Sequence, residues 1–229
     1  MSTCLPESAL EFLRDLSSNN HREWFQANKK RYEAHVKAPA LAFIEDFAPR
    51  LHSISPHFLA IPKAQGGSLF RIYRDTRFSK DKTPYKTHVG VQFRHEDASR
   101  DVHAPGFYLG VEPGASGVGI GMWKPSGPAL KAIRQAIVDA PDVWSETKQA
   151  LADAGLVFMN PDDVLKRAPK GFDPEHPHID DLRRKSFAVK GDLTDDEALA
   201  SDLGERVEAI YRHSAPLAHF LCESQGVAF

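Results

Sequence analysis

Three short stretches in the middle of the chain decide the fold class: THVGVQFR at residues 87–94, PGFYLGVE at residues 105–112 and GVGIGMW at residues 117–123. In each stretch apolar residues alternate with small or polar ones, which is the period of a β-strand with one buried face. Residues 68–74 and 185–190 show the same alternation. Short connections rich in Gly and Pro favour antiparallel pairing of these strands.

Helical patterns surround this strand block. Residues 7–17 place Ala9, Phe12, Leu13 and Leu16 on one face of a helix. Two more helices follow up to residue 52. We expect Asn20 to cap the first of them, with Glu23 three residues later, and Pro49 to kink or split the second. Beyond the strands, helices are predicted at 127–139, 142–154 and about 195–225, with an irregular segment over 156–192.

The fold class predicted from this order is α+β, with a mainly antiparallel sheet of about four to five strands flanked by N-terminal and C-terminal helices. We expect a single domain over residues 1–229: helical over 7–52, a strand block over 68–123, and helical and irregular over 127–229. The 229 residues suit one core better than two.

Composition narrows the function classes. The net charge is −2 and the pI is about 6.6, which argues against a protein that coats nucleic acid or membranes. The only cysteines are Cys4 and Cys222, and neither a basic, apolar leader nor a membrane-length apolar run is present. We therefore expect a cytoplasmic protein with no membrane partner and no cofactor; the oligomeric state is left open.

One segment of the chain has a net charge that differs strongly from that of the whole protein. Residues 63–86 contain seven cations and two acidic residues, a net charge of +5, so the rest of the chain carries −7. The cations are interleaved with aromatic residues and a proline, which favours an ordered loop. Arginine suits bidentate contacts with anions. Two interpretations stay open: the loop grips a ligand, or its arginines pair with Asp75, Asp81 or the acidic C-terminal region and hold the loop down.

This basic segment resembles a signature of the family catalogued as domain of unknown function 2461. The resemblance extends to residues 20–25, 28–33, 106–108, 165–171 and 182–185, and so covers most of the chain in the right order. It implies an intracellular, single-domain protein. It implies no activity and no catalytic residue.

The strand pattern also predicts a glycine-rich face. If Val89, Phe107 and Val118 mark the core side of their strands, the opposite side carries Tyr108, Trp123 and five glycines, Gly90, Gly110, Gly117, Gly119 and Gly121. Glycine in a strand often marks close approach of another group to the backbone. That group is either a ligand in a groove or a packed helix, such as the one predicted over 127–139.

Metal and nucleotide motifs are weak. Glycines 117, 119 and 121 have the wrong spacing for a dinucleotide fingerprint, and no helix pattern follows directly. Histidines and acids cluster near residues 95–103 and 173–181, but in polar turns where such residues are common. No metal site is predicted.

The leading functional hypothesis is binding of a phosphorylated or other anionic ligand, with or without catalysis on it, in a groove with a glycine floor and a rim of Arg and Lys. Its candidate ligand-binding residues are Arg71, Tyr73, Arg74, Arg77, Lys82, Tyr108, Trp123, Lys170 and Arg184. One alternative is a protein–protein interaction module that uses the basic loop 71–86. A third hypothesis is local binding of single-stranded nucleic acid, which the acidic remainder of the chain makes unlikely.

Overall fold

A computed structural model gives the fold and describes residues 4–98, 101, 103–160 and 162–229. Its antiparallel sheet has the spatial order β1-β2-β3-β4-β6-β5. The strands are β1 (Phe58–Leu59), β2 (Val89–His95), β3 (Gly106–Val111), β4 (Ser116–Met122), β5 (Val157–Phe158) and β6 (Phe187–Leu193). The predicted α+β class is confirmed. The strand count was slightly low because the edge strands β1 and β5 have only two residues each.

Helices precede and follow the central strands, as predicted. They are α1 (Glu7–Ser18), α2 (Arg22–Arg31), α3 (Ala38–Ile54), α4 (Gly127–Asp139), α5 (Pro141–Asp153), α6 (Ile179–Leu182), α7 (Asp195–Leu199) and α8 (Leu203–Ser224). A π-helical segment, Tyr32–Lys37, joins α2 to α3. A kink or a split was predicted at Pro49; because Pro49 lies inside the single helix α3, the split was wrong.

The cap of α2 differs from the prediction. His21 is the N-cap, and its side chain accepts a hydrogen bond from the Trp24 amide. The side chain of Asn20 instead binds the backbone of Tyr85, donating to its carbonyl at 2.9 Å and accepting from its amide at 3.1 Å. Through these two hydrogen bonds Asn20 attaches the basic loop, at Tyr85, to the helical layer.

The predicted strand over 68–74 was wrong. Only two isolated bridges form there, Leu69 with Val91 and Tyr73 with Tyr85. The chain leaves the edge of β2 after Leu69, and Tyr73 pairs within its own loop. Because regular alternation is lost, Phe70 and Ile72 do not share a face: Ile72 is buried, whereas Phe70 lies on the opposite side of the sheet.

One face of the sheet forms the core. Helix α8 packs across β3 and β4, and α3 packs against α8 and β2. Tyr211 of α8 is fully buried, with its ring centroid 4.7 Å from that of Phe107 on β3. The buried apolar residues from α1 to α8 form one cluster. Helices α3 and α8 therefore cover the face of the sheet opposite the glycines.

Within the part of the chain that the structure describes, no helix combines the length and the apolar character needed to span a bilayer.

Candidate functional site

The glycine face of the sheet is an open groove. Its cavity volume is about 860 Å³, and its lining residues come from β2, β3, β4, β6 and the adjoining loops. None of the described lining residues belongs to a helix. Helix α4, which was considered as a cover for the glycines, packs against α5 and α8 instead. The face is therefore accessible to a ligand of the size of a small metabolite.

Tyr108 explains two of the five glycines. A Cβ atom on Gly90 would lie 2.9 Å from the Tyr108 hydroxyl oxygen, and one on Gly110 would lie 3.0 Å from Cε1 of the same ring. A side chain at Gly90 would force the Tyr108 ring to move, and one at Gly110 would need it to shift by a few tenths of an ångström. Glycine at these two positions leaves room for the Tyr108 ring on the floor of the groove.

Gly119 is different. It pairs with Tyr108 across β3 and β4, and a Cβ atom there would meet nothing closer than 3.6 Å. Its neighbour Gly117 approaches the Gly191 carbonyl oxygen closely, and Gly121 has a positive φ of 123°. Gly119 is thus the position on β4 where a side chain would fit the backbone and still project into the groove.

Phe70 lines the groove close to two cations. The Lys86 ammonium lies 5.6 Å and the Arg94 guanidinium carbon 5.8 Å from the centroid of the Phe70 ring. Lys86 also donates to the carbonyl oxygens of Arg71 and Tyr73. Burial, followed by the charge of Arg71, lowers the pKa of Lys86. Lys86 and Arg94 lie beside Phe70 and are not among the described lining residues of the groove, whereas Glu112, at the same end, is one of them.

Burial shifts the pKa values of two titratable groups beside these cations, His88 and Tyr108. Burial lowers the pKa of His88, and the nearby Glu112 carboxylate opposes that effect only partly. Burial and, after it, Glu112 raise the pKa of Tyr108 to about 12. The phenol is consequently a hydrogen-bond donor at neutral pH, and His88 is a neutral imidazole.

Trp123 and Met159 also line the groove. The carbonyl oxygen of Trp123 lies 2.6 Å from Nδ1 of His103, which must carry a proton to donate there. On β6, the exposed side chain of Lys190 forms an ion pair of 3.0 Å with Asp192. This part of the groove is lined by apolar surface, Trp123 and the Lys190–Asp192 ion pair. Its net charge is therefore close to zero.

The cations of the basic loop bind their own loop. Arg74 forms hydrogen bonds with Asp81 and Thr83, and the guanidinium of Arg77 donates from Nε to Oδ1 and from Nη2 to Oδ2 of Asp75. Lys82 donates to the carbonyl oxygen of Thr76. The side-chain hydrogen bond from Arg77 lowers the pKa of Asp75 to about 2. A backbone hydrogen bond from Thr83 and the contact with Arg74 do the same for Asp81.

The candidate ligand-binding residues separate into groups. Tyr108 and Trp123 line the groove. The five from the basic loop, Arg71, Tyr73, Arg74, Arg77 and Lys82, are not among its described lining residues. Tyr73 packs instead against Phe25 and Tyr85. Lys170 is exposed and lines neither this groove nor the pocket that contains Arg184.

Other groove residues were not selected from the sequence. Met159 and Lys190 reach the groove because β5 and β6 pair beside β4. More than sixty residues separate Trp123 from Lys190 in sequence, and strand order is not encoded in local alternation. The alternation of residues 185–190 was the one available signal, and it did not indicate which strand β6 would join.

The described residues also include side chains of the types that bind metal ions or act as nucleophiles. No group of three or more His, Cys, Asp or Glu side chains among the described residues is arranged to hold a metal ion. Cys222 is buried, and burial raises the pKa of its thiol to about 12, so it is not a thiolate nucleophile.

Two comparisons relate the sequence of this chain to known proteins. A family model described as "Conserved hypothetical protein (DUF2461)" matches residues 8–220. The search of curated proteins found no match.

Proposed function

Because this chain belongs to the DUF2461 family of conserved hypothetical proteins, whose description names no activity, we propose a function from its groove: binding of a small phosphorylated or otherwise anionic organic ligand. The flat part of the ligand lies over Gly119 between Tyr108 and Trp123, and its anionic group lies towards Lys86, Arg94 and His88. The proposal includes a cytoplasmic location, which the two free cysteines support.

The open glycine floor is the observation that carries this proposal. At Gly119 the floor carries no side chain, which allows a planar group to approach the backbone closely there, and the rings of Tyr108 and Trp123 supply stacking surface. Tyr108 adds a hydroxyl donor that stays protonated at neutral pH. Lys86 and Arg94 beside Phe70 support an anionic group at that end of the groove, against the opposing carboxylate of Glu112.

A thermal-shift panel tests the chemistry of the ligand. It pairs phosphorylated compounds, such as nucleoside monophosphates and sugar phosphates, with the same compounds lacking phosphate. Inorganic phosphate and a short single-stranded DNA complete the panel. A compound present at a hundred times its dissociation constant adds about 2.7 kcal/mol of stability. For a chain of this size that raises the melting temperature by roughly 5–10 °C.

We expect at least one phosphorylated compound to stabilise the protein more than its unphosphorylated partner does. Equal shifts within every pair would remove the anionic part of the proposal. A panel without any shift would remove the small-molecule function. Stabilisation by the DNA alone, with a steep dependence on salt, would instead favour local nucleic-acid binding.

Phe78 favours a second candidate function, docking of a protein partner on the basic loop. Its side chain is 95% exposed, and the Arg77 guanidinium carbon lies 5.8 Å from its ring centroid. The hydrogen bonds of Arg74, Arg77 and Lys82 hold the loop that presents it. An aromatic side chain displayed on an ordered, cationic loop suits a partner with an acidic rim and an apolar pocket.

Sedimentation of the purified protein at low and high salt tests the version in which the partner is a second copy. A mass that rises with concentration at low salt, and that falls to the monomer in Phe78→Ser, is the expected result. A monomer under all conditions would exclude self-association through this loop.

A further inference from the structure

A second pocket, here called the Arg184 pocket, lies next to the groove. Its cavity volume is about 1030 Å³, and its lining includes Lys148, Phe158, His178, Asp181 and Arg184. Met159 and Lys190 line both the groove and this pocket. The function proposed above makes no use of the charged side chains that converge here.

Asp181 is the centre of that convergence. Its carboxylate is 4% exposed and accepts hydrogen bonds from Trp144 Nε1 at 2.9 Å, Lys148 Nζ at 2.8 Å and Arg184 Nε at 3.0 Å. Burial by itself would raise the pKa of Asp181, but the hydrogen bonds from Lys148, Trp144 and Arg184 outweigh it and lower the pKa. A buried, ionised carboxylate thus holds two cations in fixed positions.

The guanidinium of Arg184 is fixed in two ways. Its Nε atom is held by Asp181, and its central carbon lies 4.1 Å from the centroid of the Phe158 ring. Neither Nη atom has a hydrogen-bond partner among the residues that the structure describes, and the side chain remains 20% exposed in the pocket. The two Nη atoms form the planar fork that binds carboxylate or phosphate oxygens in pairs.

A hydrolytic triad is the competing interpretation, because Ser145 Oγ lies 3.1 Å from His178 Nε2. His178 Nδ1, however, lies 3.4 Å from the donor Lys148 Nζ and 3.9 Å from the nearest Asp181 oxygen. An Nδ1 that accepts from Lys148 leaves the proton on Nε2, which lies 3.1 Å from the Pro141 carbonyl oxygen. His178 then has no free nitrogen to act as base towards Ser145.

We propose that the Arg184 pocket binds the oxyanion group of a small ligand, a carboxylate or a phosphate, on the Nη atoms of Arg184. Three cations, Lys148, Arg184 and Lys190, line the pocket against two carboxylates, Asp180 and Asp181, which leaves one positive charge for an anion to balance. The pre-positioned fork also reduces the conformational entropy lost on binding. The pocket shares Met159 and Lys190 with the groove, but the proposal does not rest on the function proposed for the groove.

Side-chain NMR on the full chain tests the proposal. Inorganic phosphate and acetate are titrated separately at constant ionic strength, with chloride as the reference anion. Two signals are followed: the Nε–H of Arg184 and the indole N–H of Trp144, which shares Asp181 with it. We expect saturable shifts of both signals with phosphate, acetate or both, and the stronger of the two anions identifies the oxyanion class.

Matched variants decide whether Arg184 is responsible. Arg184→Lys keeps the charge but loses the fork, so the Trp144 signal should report affinity at least ~10-fold weaker, which corresponds to about 1.4 kcal/mol. Arg167→Lys, an exposed arginine with no side-chain partner among the described residues, should titrate like the native protein.

Three results would overturn the proposal. They are shifts that do not saturate, shifts of equal size with chloride, and an unchanged affinity in Arg184→Lys. If Arg184→Lys does not fold, the titration of the native Arg184 signal still gives a decisive answer, because that signal belongs to the proposed binding group itself.

Discussion

The hydroxyl oxygen of Tyr108 lies 2.9 Å from the position that a Cβ atom on Gly90 would occupy. A methyl group at residue 90 must therefore displace the Tyr108 ring or the Phe70 ring, whose Cδ2 atom is equally close. We expect Gly90→Ala to lower the free energy of unfolding by about 1–3 kcal/mol, the range for overpacked sites. Urea denaturation of the two proteins measures the difference.

Gly119→Ala is the matched control for this prediction. Its Cβ atom would meet ordinary van der Waals distances, and alanine loses less backbone entropy than glycine on folding. The variant should be as stable as the native protein or more stable by about 0.5–1 kcal/mol. Equal stabilities for Gly90→Ala and Gly119→Ala would contradict the packing of Tyr108 described above.

Tyr211 provides a prediction for the core. Its hydroxyl group is buried without a hydrogen-bond partner among the described residues. Burial raises the pKa of Tyr211 well above its ordinary value, so the group remains a protonated phenol. Because an unsatisfied buried polar group costs about 1–3 kcal/mol, Tyr211→Phe should raise the melting temperature, by roughly 2–4 °C for each kcal/mol. A lower melting temperature would show that the hydroxyl is satisfied in solution.

Asp181→Asn removes the buried charge that holds Lys148 and Arg184. We expect a loss of about 2 kcal/mol at pH 7, less than the ~3–5 kcal/mol of a fully buried pair because the Lys148 side chain is 35% exposed. The isosteric amide preserves the shape of the site, so the loss reports charge and hydrogen bonding. Urea denaturation at several pH values measures it.

The pH dependence of this difference follows from the direction of the pKa shift. Asp181 has a folded-state pKa below its ordinary value of 3.8. Its contribution is therefore complete above that value and is lost as the pH falls through the lower folded-state pKa. The stabilities of the native protein and Asp181→Asn should converge in acid. A difference that stays constant down to pH 2 would contradict the ionised state of Asp181.

The basic loop should respond unequally to loss of its arginines. Arg74 joins Asp81 and Thr83 across the loop, whereas the described contacts of Arg77 are local: it binds Asp75, two residues away, and lies over the Phe78 ring. Arg74→Ala should accelerate amide hydrogen exchange over residues 72–86, and Arg77→Ala should change it little. Equal exchange rates in both variants would show that Arg74 does not order the loop.

Local sequence patterns were sufficient for the elements with strong periodicity. The alternation in β2, β3 and β4 predicted both the strands and their glycine face, because side chains on opposite faces of a strand have different partners. The same rule failed over residues 68–74, where the chain leaves the sheet edge after Leu69 and tertiary contacts of Tyr73 with Tyr85 decide the path.

The binding residues were harder to predict than the fold. A run of cations in sequence suggested a ligand site, yet Arg74, Arg77 and Lys82 have acceptors within their own loop. Arg184 has a buried carboxylate and an aromatic ring beside it, which only the tertiary structure brings together. Charge composition predicts where cations are; it does not predict which of their donor groups remain unoccupied.

Groove occupancy is the central claim, and calorimetric titration of Gly119→Val tests it most directly. The titrant is whichever panel compound stabilises the native protein most, and Gly127→Val, which adds the same side chain at an open position outside the groove, is the control. We predict that Gly119→Val folds normally and weakens binding at least ~100-fold, about 2.7 kcal/mol, while Gly127→Val binds like the native protein. Unchanged affinity in a folded Gly119→Val protein would contradict ligand binding over the glycine floor.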